Sequence, residues 1–179
     1  MSLPLTHYPA LSRPDLLAPA VAAALGKLAW ADQVRVAQID PALADTAQFC
    51  EAYGITLEES ANCVVIAGRR GGETSYAACM VTATSRADVN GLVRQHLGAR
   101  KASFGAMDVV TSLTGMEYGG ITPVGLPDGW LVLVDDRVAK VPTVVIGSGI
   151  RGSKLWLPGA LLAELPGAEI LPGLGLVAS

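Results

Sequence analysis

The chain has 179 residues, 51% of them hydrophobic and 16% charged, with a formal net charge of −3. That length holds one domain with a substantial core and leaves no room for two ordinary ones. The mild acidity excludes a chain that coats nucleic acid nonspecifically, and apolar runs broken well before about 18 positions exclude a membrane-spanning helix.

Ser12-Arg13-Pro14-Asp15 has the form of a helix start, with a hydroxyl followed three residues later by a carboxylate. Leu17, Val21, Ala24, Leu25 and Leu28 then recur at helical spacing. Pro19 offers a second starting point, and the helix is predicted to end between Gly26 and Trp30. Residues 34–39 alternate as a strand does, and Asp40-Pro41 ends it. Residues 44–53 read as a short helix closed by Gly54.

Residues 63–67 form a short apolar strand, 69–73 a turn, and 76–84 the returning arm of a hairpin. Ser85 and Asp88 give a second cap signature ahead of Val89, Leu92, Val93 and Leu97, closed by Gly98. Ser103 is predicted to introduce a helix through Met107 and Val110 toward Leu113, stopped by Gly115. Three later strands are predicted over 130–134, 143–146 and 154–157, then a short helix from Pro158 and a Gly/Pro-rich tail. This mixed order with hairpins predicts a single α+β or mixed α/β domain, its sheet mixed and mostly antiparallel with helices around it.

Cys50, Cys63 and Cys79 are an odd number at wide spacing, which suits neither a disulfide framework nor a CxxC metal pair. With His7 and His96 the only histidines, no zinc site is expected, and no metal or other cofactor is assigned. Cys63 lies in an apolar run and reads as a buried, inert thiol. No basic segment followed by an apolar run marks a secretion signal near Met1, so a cytoplasmic location is expected.

Charge is concentrated in the middle of the chain. Arg69, Arg70, Arg86, Arg94, Arg100 and Lys101 face only Glu73 and Asp88 over residues 69–101, whereas acids outnumber bases on both sides. Such a patch either meets a phosphate backbone, with Arg69, Arg70, Arg100 and Lys101 as the candidate contacts, or is a solvated face around a helix and its turns.

Residues 115–126 hold four glycines and Pro123 between two apolar segments. Gly119 and Gly120 leave backbone N–H groups unshielded, which suits an anion or carbonyl pocket as well as an ordinary tight connection. Gly147-Ser148-Gly149-Ile150-Arg151-Gly152 matches GxGxxG, but Pro158 leaves no room for the helix that a dinucleotide site requires.

Taken in order, Ala61-Asn62-Cys63-Val64-Val65, Arg100-Lys101-Ala102-Ser103, residues 114–126, Val134-Asp135 and Gly147-Ser148-Gly149 resemble the YbaK/aminoacyl-tRNA synthetase-associated domain family. The resemblance spans roughly residues 34 to 171, and the stretch from Gly119 to Pro123 matches that family's GxxxP loop. Residues 1–33 then become an N-terminal helical extension of the same domain, and 172–179 a C-terminal tail. The resemblance implies a free-standing deacylase of tRNA mischarged with a small amino acid, with aminoacyl-tRNA as partner and a synthetase as a further one; homo-oligomerisation stays open.

By that resemblance Gly119, Gly120, Ile121 and Thr122 supply the catalytic loop, Tyr118 and Pro123 flank it, and Gly147, Ser148 and Gly149 line the opposite wall. Thr122 either positions water or caps the loop, and Tyr118 either packs on a base or joins the core. Two positions depart from the family pattern: Asn62 stands where a lysine is characteristic, and Lys154 where an acid is. Lys154 either restores the missing charge from across the site or is a solvent-facing strand residue. With Asn62 in place, the alternative to a hydrolase is a catalytically silent member that binds tRNA or an aminoacyl-adenosine-like ligand. A third reading, from the apolar composition, is an oligomeric scaffold.

Overall fold

The computed structural model describes residues 1–177. After β1 (His7–Pro9) come two single turns of 3-10 helix, then α1 (Pro19–Leu25). The helix therefore starts at Pro19, not at Ser12. Ser12 turns its hydroxyl back to the Pro9 carbonyl at 2.7 Å, and Ala18 is extended, with ψ 148°, as the residue before a proline prefers. β2 (Arg35–Gln38) and α2 (Thr46–Tyr53), closed by Gly54, follow their predicted places.

β3 (Ala61–Arg70) and β4 (Glu73–Thr82) are longer than their apolar stretches suggest. They pair without a break from Ala61↔Thr82 to Arg70↔Glu73. Gly71 and Gly72 make the two-residue turn with φ of 58° and 81°, a left-handed pair whose twist matches that of the strands. Arg69 and Arg70, expected in the turn, are thus the exposed last rungs of the ladder.

Ser85 lies in β5 (Ser85–Ala87), so Asp88 caps the next turn alone, accepting from the Gly91 and Leu92 N–H groups at 3.1 Å each. That turn opens as a π-helix before α3 (Arg94–His96). β6 (Lys101–Phe104) replaces the predicted helix start at Ser103: pairing with the open edge of β3, Ser103 against Ala67, overrides the local cap signal. α4 (Met107–Thr114) then runs to Gly115.

β7 (Leu131–Val134) leads into α5 (Asp136–Ala139), started by Asp135, whose carboxylate accepts from the Arg137 N–H at 2.8 Å. β8 (Val144–Gly147) and β9 (Ser153–Leu157) form a hairpin, and Gly159–Glu164 is 3-10. β10 (Ala168–Ile170) and β11 (Gly175–Val177) fall in and next to the Gly/Pro-rich end and pair with β7 and β5 respectively. Residues 178 and 179 of the predicted tail lie outside the described residues.

The strands form a four-stranded antiparallel sheet in the order β1-β2-β9-β8, a five-stranded mixed sheet in the order β10-β7-β4-β3-β6, and the small pair β11-β5. β7 runs parallel to both β4 and β10, and the remaining pairs are antiparallel. The main core lies between the two large sheets, where Val36, Leu155 and Ile146 meet Met80 and Val134. Phe49 of α2 packs on the outer face of the four-stranded sheet against Trp156. Each such side chain contributes about 1.5–3 kcal/mol on burial. Ser60 joins the sheets: it bridges to Val145 of β8, and its carbonyl accepts from the Ala83 N–H at 2.8 Å. The start of β3 is thereby held beside the end of β8, where a cleft opens.

Candidate functional site

β6 covers only part of the edge of β3, pairing from Ile66 to Arg69. The Val65 and Arg69 carbonyls accept from Gly105 and Arg100 N–H groups on that side, so odd-numbered residues of β3 direct their backbone groups there. Cys63, one period further, therefore presents its N–H and C=O to an open edge. This edge is one wall of a cleft of about 300 Å³. Asp45 and Thr46 at the start of α2, Met107 at the start of α4, the 118–121 loop, Gly147 and Lys154 close it.

Two glycine turns make the opposite wall by packing backbone on backbone. The Gly149 N–H donates to the Gly120 carbonyl at 2.7 Å, and the Glu117 N–H to the Gly149 carbonyl at 2.9 Å. A side chain at Gly120 would lie 2.6 Å from the Ile150 carbonyl carbon, and one at Gly147 would lie 2.5 Å from the Ile121 oxygen. No other residue fits there.

This packing sorts the expected site residues. Asn62, Lys154, Tyr118, Gly119, Ile121 and Gly147 meet in the cleft. The Gly120 N–H is engaged by the Glu117 carbonyl at 2.9 Å, so it is not an open donor, whereas those of Gly119 and Ile121 have no acceptor among the described residues. Thr122 is wholly buried, its hydroxyl has no partner among the described residues, and it is not part of the cleft lining. Pro123 faces a separate apolar cavity of about 550 Å³ on the far side of the loop. The Ser148 hydroxyl is spent inside its own turn, on the Ile150 and Ser153 carbonyls at 3.1 Å each, and Gly149 backs onto Ala18.

Lys154 sits on β9 between Ala37 and Gly147, an interior position that leaves it 9% exposed rather than solvent-facing. Its ammonium lies 5.3 Å from the centre of the Phe49 ring and makes no hydrogen bond or ion pair among the described residues. Desolvation lowers its pKa; Cys50 opposes this, Arg151 adds to it, and Asp45 opposes it. Asn62 is half-buried and accepts the Thr46 hydroxyl at 2.7 Å. Cys63 packs against the main core, and burial, with Cys79 adding, pushes its thiol up.

Arg151 and Glu117 escape notice in the sequence, since both belong to loops defined there by their glycines. Arg151 donates to the carbonyls of Tyr118 and Pro41 at 3.1 Å each, and the Glu117 carboxylate accepts from its backbone N–H at 3.2 Å. Tyr118 is 60% exposed at the mouth and does not join the core. Arg69, Arg70, Arg100 and Lys101 gather around a separate hollow at the hairpin tip. Eight residues of β3 separate that tip from Asn62, about 26 Å at strand rise.

A buried ammonium with no ion pair among the described residues lines the same cleft as two backbone N–H groups that have no acceptor among them, an arrangement chemically suited to an anion or a polarised carbonyl, on a mixed α+β scaffold. Residues 40–165 match the aminoacyl-tRNA editing domain, and the chain belongs to that family. The chain is similar in fold to the crystal structure of a candidate trans-editing enzyme for prolyl tRNA synthetase, with a TM-score of 0.73 and 21% identity over 87% of this chain and 94% of that one. The hypothetical protein APE2540 aligns with a TM-score of 0.70 and 20% identity, covering 80% and 91%. A candidate signal transduction protein from Marinobacter aquaeolei VT8 aligns at 0.58 and 17%, covering 86% of this chain and 30% of that one. No curated protein matches the chain. Among the described residues no helix is long and apolar enough to cross a membrane.

Proposed function

We propose that this chain hydrolyses, in trans, the ester of a tRNA mischarged with a small amino acid. The observation that carries the reading is Lys154, an unpaired and largely buried ammonium lining the same cleft as Gly119 and Ile121. Water attacks the ester carbonyl, oriented by the substrate's own ribose hydroxyls. The oxyanion forms against the Gly119 and Ile121 N–H groups and the Lys154 ammonium. Collapse breaks the bond to the terminal ribose oxygen, which takes up the proton given up by the attacking water and relayed through the neighbouring ribose hydroxyl, releasing the amino acid and a free tRNA 3′ end. A cleft of about 300 Å³ lies at the small end of ligand pockets, which is consistent with a substrate carrying a short side chain.

In this reading Lys154 supplies from β9 the charge that Asn62 does not. Arg69, Arg70, Arg100 and Lys101 meet tRNA phosphates away from the chemistry, and a synthetase is the natural source of the mischarged substrate. The test is a panel of tRNAs charged with different amino acids, followed for ester loss above the spontaneous rate. Faster loss for a small amino acid, abolished in Lys154→Met, is expected; spontaneous rates across the whole panel would overturn the reading.

Asn62 favours one second reading. Its Oδ1 is engaged by Thr46 and it offers no positive charge, as suits a member that binds an aminoacyl-tRNA without cleaving it. Tight filter binding of the same panel without turnover is its signature.

A further inference from the structure

The cleft holds one acid that the mechanism does not use. Among the described residues lining it, Asp45 is the only carboxylate, and it shares the lining with the Lys154 ammonium. Asp45 stands just before α2, yet its side chain does not cap that helix. Its ionic neighbour Arg151 keeps Nη2 3.9 Å away, beyond hydrogen-bond length, while the same nitrogen donates to the Pro41 carbonyl at 3.1 Å. With its side chain 63% exposed, the carboxylate is open to a ligand. The Thr46 hydroxyl donates to Asn62 Oδ1 at 2.7 Å, which ties the start of α2 to the start of β3 and brings Asp45 and the open Cys63 carbonyl into one lining.

We propose that Asp45 selects substrates with a free α-ammonium group, with the Cys63 carbonyl as a neutral second acceptor. This rests on the cleft being the aminoacyl-ester site and adds a specificity residue to it. An aminoacyl ester carries its amino group on the carbon next to the reacting carbonyl. A carbonyl oxygen lodged against Gly119, Ile121 and Lys154 therefore brings a second cation into the cleft that already holds the Lys154 ammonium. Two like charges repel there more than in water, and a carboxylate in the same lining offsets the repulsion. The partial positive charge at the start of α2 is smaller than the full charge of Asp45. An ester whose nitrogen is acylated, as in a peptidyl-tRNA, has no such charge and is passed over, so tRNAs engaged in chain growth are spared.

The probe is a tRNA ending in 3′-amino-3′-deoxyadenosine, acylated through a stable amide with alanine or with lactic acid, which puts a neutral hydroxyl where the ammonium was at nearly the same shape. Wild type is expected to hold the alanyl form about tenfold more tightly than the lactyl form in filter binding, the effect of one charge-assisted hydrogen bond. Asp45→Asn should lose that factor on the alanyl form and bind the lactyl form as wild type does, and Asp45→Glu should keep part of the preference. A purely structural role would weaken both forms alike, and thermal melting shows that the variants are folded. Equal affinities in wild type, or a preference unchanged in Asp45→Asn, overturn the assignment. If no ester is hydrolysed but the Asp45-dependent preference persists, the hydrolase reading fails while the ammonium subsite stands. Alanyl and lactyl esters of tRNA cleaved at equal, enhanced rates overturn the subsite and leave the hydrolase reading in place.

Discussion

Arg151 donates from Nη1 to the Tyr118 carbonyl at 3.1 Å and lays its guanidinium 5.8 Å from the centre of the Tyr118 ring. Its other nitrogen reaches the Pro41 carbonyl at 3.1 Å, so one side chain fixes the loop before Gly119 to the turn before α2. Arg151→Met is expected to cost about 1–3 kcal/mol of stability, from lost charge-assisted hydrogen bonds. Turnover should fall further, on the order of a hundredfold, because small displacements of positioned groups are costly. Arg151→Lys should resemble Met, since lysine lacks the fork that spans two carbonyls. Denaturant melts and single-turnover kinetics separate the two effects.

Lys154→Met tests the ammonium itself. The side chain keeps its length, so the fold should hold, while deacylation is lost. The stability comparison carries a pH signature. Because burial lowers the folded pKa of Lys154 below the ordinary lysine value of 10.5, the unfolded chain binds more protons between the two values. Wild-type stability relative to Lys154→Met should therefore rise as pH climbs through that window toward 10.5. Thermal midpoints of both proteins from pH 7 upward check this, and a constant difference would falsify the buried-charge account.

Asn62 and Lys154 line one cleft, so charge should be transferable between them. Asn62→Lys in the Lys154→Met background is expected to recover at least tenfold of the lost turnover. In the wild-type background it should add little, because an ammonium is already present. Steady-state deacylation by the four proteins closes the cycle.

Gly120 and Gly152 lie in facing turns but differ in surroundings. A methyl group at Gly120 would strike the Ile150 backbone, whereas at Gly152 it would meet Pro41 and Ile150 side chains no closer than 3.9 Å. Gly120→Ala should destabilise by roughly 1–3 kcal/mol or more. Gly152→Ala should be neutral or slightly stabilising, since it restricts the unfolded chain. Urea midpoints compared at equal slope decide between them.

The hairpin tip should act through salt. Replacing Arg100 and Lys101 with alanine is expected to lower the slope of log K against log salt for tRNA binding by about 0.7–0.9 per phosphate contact removed. Hydrolysis of a minimal aminoacyl-adenosine ester, which cannot span about 26 Å, should be unchanged.

Elements with strong local signals were legible: the β3/β4 hairpin around Gly71 and Gly72, α2 ending at Gly54, and α4 ending at Gly115. Ser103 misleads because the free edge of β3 decides its conformation, which no nearby residue encodes. Likewise Ser85 carries a cap pattern but is recruited by β11, some ninety positions later. In the site, Lys154 and Asn62 stood out by departing from a pattern. Thr122 and Ser148 lay in motif stretches yet turn away from the cleft, because the backbone contacts of Gly120 and Gly147 face them inward. Arg151 was hidden because its partners are carbonyls, and carbonyls are the same in every sequence.

The contact of Gly120 and Gly147 across two turns has a further consequence. Where Gly120 and Gly147 meet, the gauge of the cleft is set by peptide against peptide, with no side chain at either position to be trimmed. Point substitutions there can break the wall but cannot widen it. A descendant of this chain that accepted a larger amino acid would have to re-space the turns by insertion, or give ground at the lining side chains of Ile121, Asn62, Met107 or Thr46.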